Sequence, residues 1–164
     1  MNTNLTTTTL RACSEADTDH IAAAFSQHIP GNTTVALTGT LGAGKTRFVQ
    51  GVAVALGARA EHVTSPTFVI CNQYPVKKHI YHLDAYRITD EDEFFELGVD
   101  EMFLSDGYVF IEWAEKFKQM LPRELLSLTI NVVSQHGRDF HFRGTSRYQE
   151  SIVRLRSTCQ DLLA

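Results

Sequence analysis

Hydrophobic and polar positions along the chain alternate between two periods, and each switch of period marks an element. Residues Thr6–Ala12 form a β-branched run that reads as a strand. Ser14 followed by Asp17 is a capping-box-like start, and Ile21, Ala24, Phe25 and His28 then recur at helical spacing. Pro30 and Gly31 turn the chain into the short apolar run 34–38 (TVALT). A glycine loop follows, and then Phe48, Val49, Val52, Ala53 and Leu56 return to the helical period until Gly57 ends it. Residues 68–74 and 78–83 read as strands. The acidic run 89–93 suits the positive end of a helix dipole ahead of Phe94, Phe95 and Leu97, and Gly98 stops that helix. The run 108–111 (YVFI) is a strand ending in Glu112 and Trp113, a short helix covers 114–121 up to Pro122, and 126–133 with 139–143 flank His136-Gly137 as a hairpin. A helical pattern over 148–163 closes the chain. Strands alternating with helices through the middle predict an α/β fold in three layers: a mostly parallel central sheet covered on both faces, with a C-terminal antiparallel hairpin.

Composition narrows this picture without redirecting it. A length of 164 residues with no repeat, linker or low-complexity segment predicts a single domain over 1–164. A net charge of −4 argues against a protein that holds nucleic acid by its own electrostatics, because that requires a clustered basic face to displace counterions from phosphates. Cys13, Cys71 and Cys159 are an odd set without close spacing, which excludes a disulfide framework and a thiolate metal site. Residues 21–44 carry no charge, but Gln27, His28, Pro30, Gly31, Asn32 and the threonines interrupt them, and the Thr- and Asn-rich start lacks the basic and apolar regions of a signal peptide. The expectation is a cytoplasmic protein with no membrane helix.

Chemistry enters with Gly39-Thr40-Leu41-Gly42-Ala43-Gly44-Lys45-Thr46, which satisfies G-x-x-x-x-G-K-[ST] at every constrained position. A random chain of this length would show that pattern roughly once in one or two hundred cases. Here the run TVALT precedes it and FVQGVAVAL follows, so the strand and helix that the motif requires are both predicted. Glycines let the backbone wrap with its N–H groups turned inward, and the helix opening near Lys45 adds its positive dipole end. Lys45 is then expected to reach the β- and γ-phosphates of a nucleotide and Thr46 to ligate Mg²⁺. No aspartate has glycine three residues later and Asn-Lys never occurs, so ATP is preferred over GTP.

Such a site needs a carboxylate at the tip of a neighbouring strand, and Asp84 and Glu112 each end an apolar run. Arg87 stands where it pairs with Asp84 or contacts phosphate. Thr64-Ser65-Pro66-Thr67 lies between the loop helix and the next strand, where nucleotide enzymes carry a segment responsive to the γ-phosphate. His79 and His82 invite a metal pair, but an odd separation in a strand puts them on opposite faces.

Taken in order and spacing, GTLGAGKT from Gly39, SPTF from Ser65, HLDAYR from His82, ELG from Glu96 and IEWAE from Ile111 resemble the TsaE (YjeE) family over about residues 14–122. These are small bacterial ATPases needed for the threonylcarbamoyladenosine modification at position 37 of tRNA. The resemblance implies an α/β sandwich with ATP at the glycine loop, Mg²⁺ held by Thr46 and Glu112, a switch segment at residues 65–67, and Asp84 in the place of the family's functional aspartate. It also implies weak intrinsic ATPase activity that works on the TsaB and TsaD subunits, with tRNA engaged only indirectly. Thr40 stands where the family usually has Asp, and Ala114 where it often has Pro. Adenine contacts are expected near the junction of residues 12–14.

The resulting expectation is a hydrolase in which the loop and Lys45 bind phosphates, Thr46 and Glu112 position Mg²⁺, Asp84 orients or deprotonates the attacking water, and Thr67 senses the γ-phosphate. The alternative is a small-molecule kinase, with Asp84 and Arg87 gripping an acceptor. That requires an Arg-rich lid, whereas Arg138, Arg143, Arg147, Arg154 and Arg156 are scattered. A nucleotide sensor that does not hydrolyse is the third reading.

Overall fold

Parallel strands cannot be joined by a tight turn, so the apolar runs that flank helical segments come together as neighbours in the middle of the sheet. The computed structural model describes residues 5–64, 66 and 69–164. In chain order the elements are β1 (Thr6–Ala12), α1 (Glu15–His28), β2 (Thr33–Thr38), α2 (Lys45–Ala55), β3 (Cys71–Tyr74), β4 (Ile80–Asp84), α3 (Glu91–Glu96), α4 (Val99–Phe103), β5 (Tyr108–Glu112), β6 (Leu126–Val132), β7 (Arg138–Gly144) and α5 (Gln149–Thr158). The sheet order is β1-β7-β6-β2-β5-β4-β3. Strands β6, β2, β5 and β4 run parallel to one another, while β3, β7 and β1 join antiparallel at the two sides. The predicted α/β arrangement with a mostly parallel centre and a β6–β7 hairpin is therefore present.

Two apolar clusters make the layers. On one face α1, α2 and α5 pack through Phe25, Phe48 and Ile152 onto Tyr108, Phe110 and Phe142 of the sheet. On the other, Phe94 of α3 stacks on Phe117 at 4.6 Å between ring centroids and covers Leu83 and Ile111. Strand β5 is buried at every position because it is covered on both sides, which explains its unbroken apolar sequence. At the β1–β7–β6 side the outward face is polar, and burial alternates along β1.

Several boundaries differ from the sequence reading. Of the strand expected over 68–74, residue 68 lies outside the described residues. Val69 and Ile70 form a turn because the Pro66 carbonyl accepts both of their N–H groups, at 3.0 and 2.9 Å, and Ile70 takes φ 63°. The helix expected over 114–121 is a 3-10 turn, Ala114–Phe117, entered through Trp113 at φ 60°. The closing helix begins with a 3-10 turn and ends at Thr158. The residues after it are drawn to the sheet edge, where Leu163 bridges Leu10 and the Ala164 N–H donates to the Thr9 carbonyl. Among the described residues no helix is long and apolar enough to cross a membrane.

Candidate functional site

Three parallel strands, β2, β4 and β5, end at the same edge of the sheet, and each delivers part of one polar cluster. After β2 the chain leaves through Gly39, whose φ is 154° and where a Cβ would lie 2.6 Å from the Ile130 carbonyl oxygen, so no other residue fits beneath β6. The loop tightens through the Ala43 N–H, which donates to the Thr40 carbonyl at 3.0 Å. Gly44, at φ 105°, leads into α2 without a side-chain cap, so the first N–H groups of that helix stay unengaged by any cap. A Cβ at Gly42 or Gly44 would meet nothing within 4 Å, so both face an open concavity. Leu41 is fully exposed, and Thr40 is exposed with its contacts made by its main chain.

Lys45 is buried, and its ammonium donates to the carbonyls of Gly39 at 2.8 Å and Thr40 at 3.2 Å. It also lies 3.9 Å from Glu112 Oε2. The Thr46 hydroxyl donates to Glu112 Oε1 at 3.4 Å, and His82 Nε2 contacts that same oxygen at 3.0 Å. Asp84 and Glu112 are register partners at the tips of β4 and β5. Asp84 is buried and accepts the Tyr86 N–H at 3.0 Å, capping the 3-10 turn Ala85–Arg87. From the far side the Lys116 ammonium ties that turn down through the carbonyls of Ala85 (3.1 Å), Tyr86 (2.7 Å) and Ile88 (2.7 Å). Arg87 is exposed on the same turn.

A cavity of about 590 Å³ is lined by Lys45, Thr46, Asp84, Tyr86, Glu112 and Trp113, together with the loop. A second, of about 520 Å³, opens on the other side of Gly42 and Gly44 against Cys13, Ser14, His136 and Arg138. Arg47 lines both. Its guanidinium pairs with Asp19 of α1, and that hydrogen bond holds its pKa above the ordinary arginine value.

A family model described as "Threonylcarbamoyl adenosine biosynthesis protein TsaE" matches residues 12–140. The chain belongs to the TsaE family. It is 39% identical over 131 residues to the tRNA threonylcarbamoyladenosine biosynthesis protein TsaE of Bacillus subtilis (strain 168), covering 79% of each chain. It is 37% identical over 105 residues to the protein of the same name from Treponema pallidum (strain Nichols), covering 64% of this chain and 77% of the relative. The crystal structure of Bacillus subtilis YdiB superposes with a TM-score of 0.71 at 28% identity, covering 96% of this chain and 95% of that one.

Of the residues singled out from sequence, this TsaE-family chain brings Lys45, Thr46, Asp84 and Glu112 together. Ser65 and Thr67 lie outside the described residues. His79 and His82 do face opposite ways: His79 packs on Tyr81 at 4.5 Å while His82 is fully buried against Glu112. Among the described residues no group of three or more His, Cys, Asp and Glu side chains is set to hold a metal, so a cation here would rest on Thr46 and Glu112 with oxygens from a ligand and water. The later arginines are dispersed, with Arg147 donating to the Asn32 carbonyl and Arg154 paired to Glu150. Sequence reasoning missed the roles of His82, Tyr86 and Lys116. The signal for His82 was its place two residues before Asp84, hence on the same strand face.

Proposed function

We propose that the chain is a Mg²⁺-dependent ATPase of weak intrinsic activity that serves threonylcarbamoyladenosine synthesis at position 37 of tRNA, acting on the TsaB and TsaD subunits in the cytoplasm. The observation that carries this reading is the convergence of Lys45, Thr46, Asp84 and Glu112 in one cavity beside a glycine loop. The donor set suits the ligands. An ammonium and unengaged helix N–H groups match phosphate, while a hydroxyl and two carboxylates are hard oxygen donors of the kind Mg²⁺ takes. The names of the relatives supply the pathway.

The loop amides and Lys45 hold the phosphates, and Lys45 exchanges its carbonyl contacts at Gly39 and Thr40 for phosphate oxygens. Thr46 and Glu112 would hold Mg²⁺, which supplies positive charge against the β- and γ-phosphate oxygens. Asp84 accepts a hydrogen bond from a water and aims its oxygen at the γ-phosphorus. The new P–O bond forms as the bond to the β-γ bridging oxygen breaks, ADP leaves with that electron pair, and the water's proton passes to Asp84, which releases it to solvent. Arg47 is committed to Asp19, so charge stabilisation at the γ-phosphate falls to Lys45, and a partner protein supplies the rest. The adenine side of the nucleotide takes the second cavity, beside Cys13 and Ser14.

The test is nucleotide binding and phosphate release by Lys45→Ala, Asp84→Ala and Glu112→Ala, each alone and with TsaB, TsaD and tRNA. Lys45→Ala is expected to lose binding, while the two acid variants lose turnover far more than affinity, Glu112→Ala also needing more Mg²⁺ for binding. Undiminished turnover in all three, or tRNA modification sustained without the chain, rejects the reading.

A further inference from the structure

His82 is the one histidine sealed into this site, with none of its surface exposed. It stands on β4 two residues before Asp84, on the same face, and its Nε2 reaches Glu112 Oε1 at 3.0 Å. An ionised carboxylate only accepts, so the hydrogen in this contact sits on His82 Nε2. The other ring nitrogen, Nδ1, is buried without a hydrogen-bond partner among the described residues. A histidine kept for packing would have both nitrogens satisfied or would be replaced by an apolar ring like that of neighbouring Phe110. Among the described residues the carboxylate is the only polar contact of this imidazole.

That contact divides the two oxygens of Glu112. Oε1 is occupied by His82 and by the Thr46 hydroxyl at 3.4 Å, whereas Oε2 faces Lys45 at 3.9 Å, too long for a hydrogen bond. We propose that His82 is a positioning residue for Glu112: by holding Oε1 it fixes the carboxylate plane and turns Oε2 into the cavity, where it holds a divalent cation or that cation's water. The proposal rests on the Mg-nucleotide reading above. Outer partners of this kind fix ligand orientation, and their removal typically weakens metal affinity by about 10- to 100-fold.

The experiment is ATP binding by calorimetry across a Mg²⁺ series and in EDTA, for the unaltered protein, His82→Leu and His82→Gln, with a thermal melt of each. His82→Leu is expected to raise the Mg²⁺ concentration for half-maximal effect by about 10- to 100-fold and to leave affinity in EDTA unchanged. His82→Gln, whose amide N–H reaches the same oxygen, is expected to reverse most of the shift. An unmoved Mg²⁺ midpoint in a cooperatively melting His82→Leu overturns the proposal, as does equal weakening with and without Mg²⁺. If His82→Leu does not fold, His82→Gln and the shorter His82→Asn decide, and equal midpoints in those two overturn it. Binding by the unaltered protein that ignores Mg²⁺ removes the Mg-nucleotide reading itself, which separates that failure from failure of the His82 role.

Discussion

Tyr86 and Trp113 lie ring against ring, with centroids 5.2 Å apart and planes at 49°, and both line the cavity that holds Lys45 and Glu112. Trp113 takes a left-handed backbone conformation, φ 60°, directly after Glu112, so the indole is thrown out over the cavity instead of continuing β5. The pair joins the turn after Asp84 to the turn after Glu112.

Because the chain has one tryptophan, its emission reports on this pair alone. Adding Mg-ATP is expected to change the intensity or wavelength of Trp113 fluorescence, and Lys45→Ala is expected to abolish the change. Emission indifferent to nucleotide at saturating concentration would place the ligand away from the β5 tip.

Gly39 and Gly42 separate fold from binding. A Cβ at Gly39 would press to 2.6 Å against a backbone oxygen, whereas one at Gly42 meets nothing within 4 Å. Gly39→Ala is expected to cost about 1–3 kcal/mol, lowering Tm by several degrees. Gly42→Ala carries left-handed strain of about 1–2 kcal/mol, and its methyl group enters the concavity, so its larger effect falls on nucleotide affinity. Thermal melts and ATP titrations of both variants check the contrast.

The Lys116 ammonium satisfies three carbonyls in the turn that follows Asp84. Lys116→Met frees those carbonyls to water, a loss of about 1 kcal/mol, or roughly 2–4 °C in Tm. The turn then holds Asp84 less firmly. Turnover is expected to fall several-fold with ATP affinity nearly unchanged, and a matching loss of affinity would show that Lys116 acts elsewhere.

These residues also show where sequence stops being informative. The glycine loop is legible because its chemistry depends on spacing within eight positions, and Asp84 and Glu112 stand out because each ends an apolar run. Their meeting depends on β4 pairing in parallel with β5 in one particular register, which brings Asp84 beside Glu112 and lets His82 reach the same carboxylate. Local pattern carries no pairing information of that kind. The shortened β3 has a similar origin, since the Pro66 carbonyl captures the Val69 and Ile70 N–H groups that an alternating pattern assigns to a strand. At the end of the chain a helical period persists through residue 163, yet the edge of β1 offers Leu163 a bridge to Leu10 that ends the helix early.

Away from the site, Arg11 and Asp139 join β1 to β7 through two hydrogen bonds of 2.7 and 2.8 Å. The hydrogen bond from Arg11, followed by its charge, holds the Asp139 carboxyl below its ordinary pKa. A lowered folded-state pKa means the stabilisation is present above the unfolded value, about 3.9, and is lost as pH falls through the folded value. Asp139→Asn is therefore expected to lower Tm at pH 7 by a small amount, since Arg11 is half exposed, and the difference should shrink below about pH 4. A Tm difference that stays constant from pH 7 down to pH 3 would show that the pair contributes through packing alone.

The cysteines offer a chemical footprint of the nucleotide's far side. Cys13 is exposed and lines the cavity next to Gly42 and Gly44, whereas burial pushes the thiols of Cys71 and Cys159 up to about 11. The thiolate is the reactive form, so at pH 8 a rise of about two units from the ordinary cysteine value cuts its population about a hundredfold. Iodoacetamide is therefore expected to modify Cys13 first and the other two slowly. If the adenine side of ATP occupies the cavity beside Cys13, saturating Mg-ATP or Mg-ADP slows Cys13 modification while leaving Cys71 and Cys159 unaffected, and Lys45→Ala removes the protection. Inorganic triphosphate, which fills the phosphate loop without a base, should protect less. Equal protection by triphosphate and ATP would mean that the loop alone shields Cys13 and that adenine is bound elsewhere.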